Sequence, residues 1–183
     1  MGIMIEDGRG TGQAAGISPT GNRLDVSSRA DERIYYISRD NGDTYSWSSG
    51  TYSATGGDTI LIVENTSTTQ KLYIKEISLF SLVKTRVVIH CPTASFTHSG
   101  TGVTGVNLNR TSGNSASATA TRDEVNNVQG AIVWQSDIPI LGNPYIVPFH
   151  DSIVLGQGDS VGVDFVTTSG AVDVNILGFY DVE

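Results

Sequence analysis

The fold of this chain is decided by a run of apolar residues, Thr59-Ile60-Leu61-Ile62-Val63, which follows the turn-forming break Gly56-Gly57-Asp58. Successive side chains of a β-strand point to opposite faces of its sheet, so an uninterrupted apolar run places apolar side chains on both faces. We therefore predict that this run forms a strand buried on both sides.

Further strands are expected upstream of this run. Ile34-Tyr35-Tyr36-Ile37 is rich in residues that favour strands. Asp40-Asn41-Gly42-Asp43 has the composition of a hairpin turn, and Tyr45-Ser46-Trp47 alternates apolar and polar side chains. These segments predict strands on both sides of a tight turn.

Downstream, the apolar pattern of residues 72–82 slips between Ile74 and Ile77. One extra residue in a long strand, a β-bulge, produces such a slip. The segment 145–148 is flanked by prolines and is expected at a sheet edge, because proline cannot donate to a strand ladder. Other strands are predicted at 85–91, 131–135, 153–155, 161–165 and 172–179.

About ten short strands joined mostly by turns predict an all-β sandwich or barrel. The composition agrees, since only 16% of residues are charged and the chain has 21 glycines. Glycine and asparagine supply the positive φ angles of tight connections. We expect a jelly-roll-like β-sandwich over residues 31–183, because the long crossings of that fold can accommodate an insertion.

Residues 93–130 are predicted to form that insertion. They carry almost no large apolar side chains, and small residues dominate, as in the run from Ser115 to Thr121. A loop this long is uncommon inside a compact domain unless it has a function or a partner holds it. We expect one short strand within it, around Val106 to Leu108.

Residues 1–30 differ in composition from the rest of the chain and are predicted to form an extended N-terminal arm. The segment from Asp7 to Gly16 is rich in glycine and has no apolar periodicity, so it cannot bury itself. A short apolar segment follows at Leu24 and Val26. Such an arm becomes ordered only when it lies on a neighbour.

Charge and apolar segments restrict the partners. The formal net charge is −8, so a phosphate backbone is repelled and no nucleic-acid partner is expected. No apolar segment approaches the roughly 20 residues that span a bilayer, so no membrane partner is expected. No secretory signal is visible, and the one cysteine, Cys91, excludes an intrachain disulfide. We expect a soluble protein made in the cytosol.

Motifs for catalysis or for holding a cofactor or metal are weak. Residues 10–15 match G-x-G-x-x-A, but the buried strand and the helix that this fingerprint requires are not predicted around them. The three histidines include no His-x-His pair of the kind that a metal-binding β-barrel uses. No serine stands in G-x-S-x-G. We therefore expect a protein that is not an enzyme and has no cofactor, catalytic residue or metal ligand.

Aromatic and amide side chains are the remaining candidates for binding. Tryptophan and tyrosine are favoured both in cores and at interfaces, so core packing, subunit contact and glycan binding remain open for them. The candidate partner or glycan contacts are Tyr45, Trp47, Tyr52, Trp134, Asn107, Asn109 and Arg110.

Four groups of short motifs are spread along most of the chain. They are Ile5-Glu6-Asp7-Gly8 with Gly10-Thr11-Gly12; Asn22-Arg23-Leu24; Asn107-Leu108-Asn109-Arg110 with Ser112-Gly113-Asn114; and Gly158-Asp159-Ser160-Val161 with Gly178-Phe179-Tyr180. In combination they resemble small virion structural proteins encoded among the head and tail genes of tailed bacteriophages.

This resemblance implies a jelly-roll subunit of the virion, often a homotrimer, that binds the major capsid protein as a decoration or cement protein. The arm would attach by strand addition, which satisfies its backbone groups, and many weak contacts would add by avidity. Two alternatives are a tail, neck or fibre protein and a glycan- or receptor-binding module. The candidate assembly residues of the arm are Ile5, Glu6, Asp7, Arg9, Asn22, Arg23, Leu24 and Val26.

Overall fold

The computed structural model divides the chain into two compact units, residues 1–32 and 33–183. In the first unit it describes only the backbone of residues 5–6, 14–17 and 24–25. In the second it describes residues 33–55, 57–93, 97–125, 130–138, 141–166 and 169–181.

The described backbone of the N-terminal unit forms a small antiparallel sheet. Its strands are β1 (Ile5–Glu6), β2 (Ala14–Ile17) and β3 (Leu24–Asp25), in that order. Ile5 pairs with Ala15, and Gly16 pairs with Asp25. Short paired strands are thus present at these places, and the extended N-terminal arm over residues 1–30 stays a prediction.

The second unit begins with a helical segment rather than the predicted strand. The α-helical turn α1 (Arg33–Tyr36) continues into a π-helical turn, Ile37–Asn41. Gly42, at φ 68°, ends the helical segment, so the predicted hairpin turn is also absent here. Ile34 and Ile37 are three residues apart and pack on the stacked rings of Tyr73 and Phe179, which favours the helical spacing.

Two antiparallel six-stranded sheets pack as a β-sandwich, which confirms the predicted all-β class. The first sheet has the order β10 (Val106–Asn107), β4 (Thr44–Ser48), β15 (Ser169–Asp181), β7 (Lys71–Ser81) and β13 (Tyr145–Leu155), and β5 (Tyr52–Thr55) also pairs with β15. The second has the order β12 (Ala131–Asp137), β8 (Arg86–Cys91), β14 (Ser160–Phe165), β6 (Thr59–Asn65), β11 (Ala118–Glu124) and β9 (Thr101–Gly102).

The apolar run at residues 59–63 lies in β6, between β14 and β11. Every residue of β6 is buried, so the predicted burial on both faces is confirmed. Leu61 and Val63 pair with Val163 and Val161 and join the main core between the sheets. The opposite face of the sheet is covered as well, because Ile62 is also fully buried.

The predicted bulge in β7 is confirmed at Lys75. In the pairing with β15, Leu177 lies opposite Glu76 and Gly178 lies opposite Ile74, so Lys75 is the extra residue. β13 shows a larger irregularity against the same strand, where the residues between Pro148 and Ile153 leave the ladder. The predicted edge position of this segment is confirmed, since β13 is an outermost strand of its sheet.

The region 93–130 contains more regular structure than predicted. The expected short strand is present as β10, but β11 and β9 extend the second sheet. β11 has no large apolar residue; its buried members are Ala120, Thr121 and Glu124. Among the described residues, no helix is long and apolar enough to cross a membrane.

Candidate interaction surface

Tyr45 and Trp47 lie in the core, so neither ring can stack on a glycan at the surface. Trp47 is 0% exposed, and its ring centroid is 6.0 Å from that of Tyr45. Burial raises the pKa of Tyr45 to about 12. Of the readings that the sequence left open, core packing is the one that the positions of these two residues support.

Tyr52 is half-buried beneath Arg122. Its hydroxyl donates to the Ile60 carbonyl at 3.1 Å, and the Arg122 guanidinium lies 5.3 Å from its ring centroid. The same guanidinium donates to the Ser49 carbonyl at 2.6 Å. Burial raises the pKa of Tyr52 to about 12. Tyr52 therefore links β5 to β6 through its hydroxyl and to the insertion through Arg122.

Asn107 and Asn109 dock the insertion onto the end of the helical segment. The Asn107 amide donates to the Gly42 carbonyl at 2.7 Å, and the Asn109 amide donates to the Ser38 carbonyl at 2.8 Å. Their side-chain oxygens accept backbone N–H groups two residues further on, those of Asn109 and Thr111. The amides are thus engaged within the protein. They line, with the exposed Arg110, an open cavity of about 480 Å³.

We expect the double variant Asn107→Ala/Asn109→Ala to lower the free energy of unfolding by about 2 kcal/mol, because two carbonyls lose their amide donors. Hydrogen exchange should accelerate at the backbone N–H of Leu108, which bonds to the Thr44 carbonyl. Urea denaturation and amide exchange would measure both effects. Arg110→Ala is the control and should stay within about 0.5 kcal/mol of the parent protein. Unchanged exchange at Leu108 in the double variant would contradict this docking role.

The candidate arm residues fall almost entirely outside the described residues. The backbone of Ile5 and Glu6 lies in β1, and that of Leu24 lies in β3. The other predicted arm residues, Asp7, Arg9, Asn22, Arg23 and Val26, lie outside the described part of the chain. Their assembly role therefore stays a prediction.

Two buried polar networks on the second sheet were not predicted. In one, Asp164 Oδ1 accepts from Thr59 Oγ1 at 2.7 Å and lies 3.1 Å from His90 Nε2. The carboxylate stands between the hydroxyl and the imidazole, and all three side chains are buried. This arrangement connects β6, β14 and β8 and is typical of a structural cross-link rather than an activated nucleophile.

The other network centres on Glu124, which is 0% exposed. Its carboxylate accepts from the backbone N–H groups of Ser99 and Gly100, each at 2.8 Å, and from the Thr121 hydroxyl at 3.0 Å. His98 bridges the Thr121 hydroxyl and Glu64 Oε2 at 2.9 and 3.2 Å. Among the described residues, no group of three or more His, Cys, Asp or Glu side chains is placed to hold a metal ion.

Exposed apolar side chains lie next to one another on the two outer strands β12 and β13. Trp134 and Tyr145 connect these strands across the end of the sandwich, with ring centroids 6.0 Å apart. Ile132 and Val133 on β12 are 59% and 44% exposed, and Ile146 on β13 is also exposed. We call these five residues the apolar edge. Of these five residues, Trp134 is the one that was predicted from the sequence as a contact residue. The other four were not predicted.

The apolar edge differs from the opposite side of the sandwich. There the outermost strands are β9 and β10, each of two residues. Very short outer strands leave little backbone for another chain to pair with. The apolar edge is therefore the candidate interaction surface of the described residues. No family model, curated protein sequence or solved structure shows significant similarity to this chain.

Proposed function

We propose that this chain is a non-enzymatic structural protein of a tailed-phage particle, and that it decorates and stabilises the capsid as a cement protein. The proposal combines the resemblance of its short motifs with the shape of the protein. An all-β sandwich is a rigid domain that can bind the surface of a capsid without a deep pocket. The chain also has an additional N-terminal unit, residues 1–32.

We further infer that the sandwich is a jelly roll. Its strand pairs are nested in the sequence: β4 pairs with β15, β6 with β14, β7 with β13 and β8 with β12. Such nesting arises when one long antiparallel hairpin folds over on itself. The pairs β4–β15 and β7–β13 lie in the first sheet and the pairs β6–β14 and β8–β12 lie in the second, which is the arrangement of a jelly roll. The insertion with β9, β10 and β11 lies between β8 and β12, at the closed end of the nested hairpin.

One observation carries the attachment role of residues 1–32. The buried apolar residues of the second unit form a core of their own, which runs from Ile37 to Tyr180 in sequence. The second unit thus has the core of an independent domain, and residues 1–32 form a compact unit of their own. Attachment to another protein is a role that such a terminal unit can serve, by adding strands to a neighbour's sheet.

The test is co-sedimentation of the full-length protein, and of a variant without residues 1–32, with capsids stripped of this protein and with tail preparations. We expect the full-length protein to sediment with capsids and the shortened variant to stay in the supernatant. Circular dichroism and a cooperative urea transition would show that the shortened variant is folded. Sedimentation of the full-length protein with tails alone, or with neither particle, would overturn the cement role.

A second candidate function, glycan or receptor binding, is favoured by Trp134 and Tyr145. These rings lie 6.0 Å apart at the surface end of the sandwich, and aromatic faces are a usual platform for sugars. Trp134→Ala would then weaken adsorption to host cells while capsid binding is unchanged. Trp47→Ala is unsuitable for this test, because Trp47 lies in the core.

A further inference from the structure

We propose that β12 is the surface through which two copies of this chain pair, strand against strand, as a two-fold dimer. The inference goes beyond the proposed function, because pairing of two copies does not depend on the particle that carries them. β12 has seven residues, and its one strand partner among the described residues is β8. Five of its seven residues are exposed, while Trp134 and Ser136 are half-buried and Trp134 packs against the main core.

The strands at the other three ends of the two sheet orders, β9, β10 and β13, carry features that oppose pairing, and β12 does not. β9 and β10 have two residues each. β13 contains Pro148 within the strand, and His150 and Asp151 adopt positive φ angles of 49° and 64° where it leaves the ladder. Proline and bulges are devices by which proteins block edge-to-edge association. β12 has no proline and no lysine along its length.

Charge explains why a second copy fits this strand. The protein has a formal net charge of −8, yet residues 125–136 include no charged side chain. The one charge of β12, Asp137, stands at its end and pairs with Arg86 at 3.4 Å. Elsewhere on the surface, two copies of an acidic protein repel each other; at β12 they meet through neutral residues.

Antiparallel pairing about a two-fold axis keeps the acidic ends apart. With the axis at Trp134, Asp137 of one copy lies beside Ala131 of the other. The two Asp137 residues are then about 20 Å apart along the strands, which is beyond the screening length of about 8–10 Å at moderate salt. The same contact brings Ile132 and Val133 of each copy near the partner's strand and removes apolar surface from water.

The test compares two charge-bearing double variants of the full-length chain by sedimentation velocity over a series of protein concentrations. Ile132→Lys/Val133→Lys places lysines on β12, whereas Val106→Lys/Leu108→Lys is the matched control in the insertion. The exposed fractions are comparable, at 59% and 44% for the first pair and 49% and 46% for the control. Circular dichroism would confirm that both variants keep the fold.

We expect the parent protein and the control to form dimers, and the β12 variant to dissociate with a constant raised roughly tenfold or more. A parent protein that stays monomeric at every concentration would overturn the proposal. So would a β12 variant that dimerises as tightly as the control. A trimer would overturn it as well. In a two-fold dimer the outer edge of β12 in each copy is already paired, so no edge remains for a third copy.

Discussion

Replacing Trp47 with alanine is expected to lower the free energy of unfolding by about 3–5 kcal/mol, the usual cost of removing a large buried aromatic side chain. Trp47 is fully buried in the first sheet beside Tyr45. The insertion closes over it, since a Cβ added to Gly105 would lie 2.6 Å from its indole nitrogen. The cavity left by alanine could therefore collapse only in part.

Urea denaturation followed by circular dichroism would measure this cost, and two controls separate its causes. Trp134→Ala should cost less, about 1–2 kcal/mol, because Trp134 is only half-buried. Trp47→Phe should retain most of the stability, since the indole N–H has no hydrogen-bond partner to lose among the described residues. A Trp47→Ala variant as stable as the parent would show that this ring is not part of the core.

The central strand could be predicted because its signal lies in consecutive residues. An apolar run such as 59–63 requires cover on both faces wherever it is placed, and β6 has that cover. The bulge at Lys75 was predictable for a related reason: an extra residue shifts the apolar pattern itself. Both features are local in sequence, so reading them required no knowledge of the partner strands.

The helical segment and β11 could not be predicted in the same way. Ile34 and Ile37 fit one turn of helix as well as a short strand, and their distant contacts with Tyr73 and Phe179 decide between the two. β11 consists of alanine, threonine and polar residues and has no apolar signal of its own. It forms because the edge of β6 is available to it, and six of its residues pair with that strand.

The candidate contact residues show the same limit. Trp47 and Trp134 each stand in a segment that predicts a strand, Tyr45-Ser46-Trp47 in one case and residues 131–135 in the other. Strand order separates them, because β4 lies between β10 and β15 whereas β12 is outermost in its sheet. The sequence predicted only a strand at 131–135 and did not indicate that Ile132 and Val133 are exposed, because nothing in one sequence marks which strand is last in a sheet.

Replacing Glu124 with glutamine is expected to lower the free energy of unfolding by about 3 kcal/mol, although the side chain keeps its shape. The buried carboxylate accepts hydrogen bonds from Ser99, Gly100 and Thr121. A carboxylate is acceptor-only, whereas an amide has one oxygen and one NH₂ donor. In the variant, some of these donors therefore face another donor and are left buried without a partner.

This cost should be localised to the segment that Glu124 holds. Amide exchange at Ser99 and Gly100 should accelerate in Glu124→Gln, because their N–H groups bond to that carboxylate. Asp137→Asn is the matched control: Asp137 is exposed and 3.4 Å from Arg86, and surface ion pairs contribute only about 0–1 kcal/mol. An equally small loss of stability in both variants would contradict the prediction, because Glu124 would then contribute no more than the exposed Asp137. A large loss in Glu124→Gln alone would show that a buried acceptor holds residues 99–100 against β11.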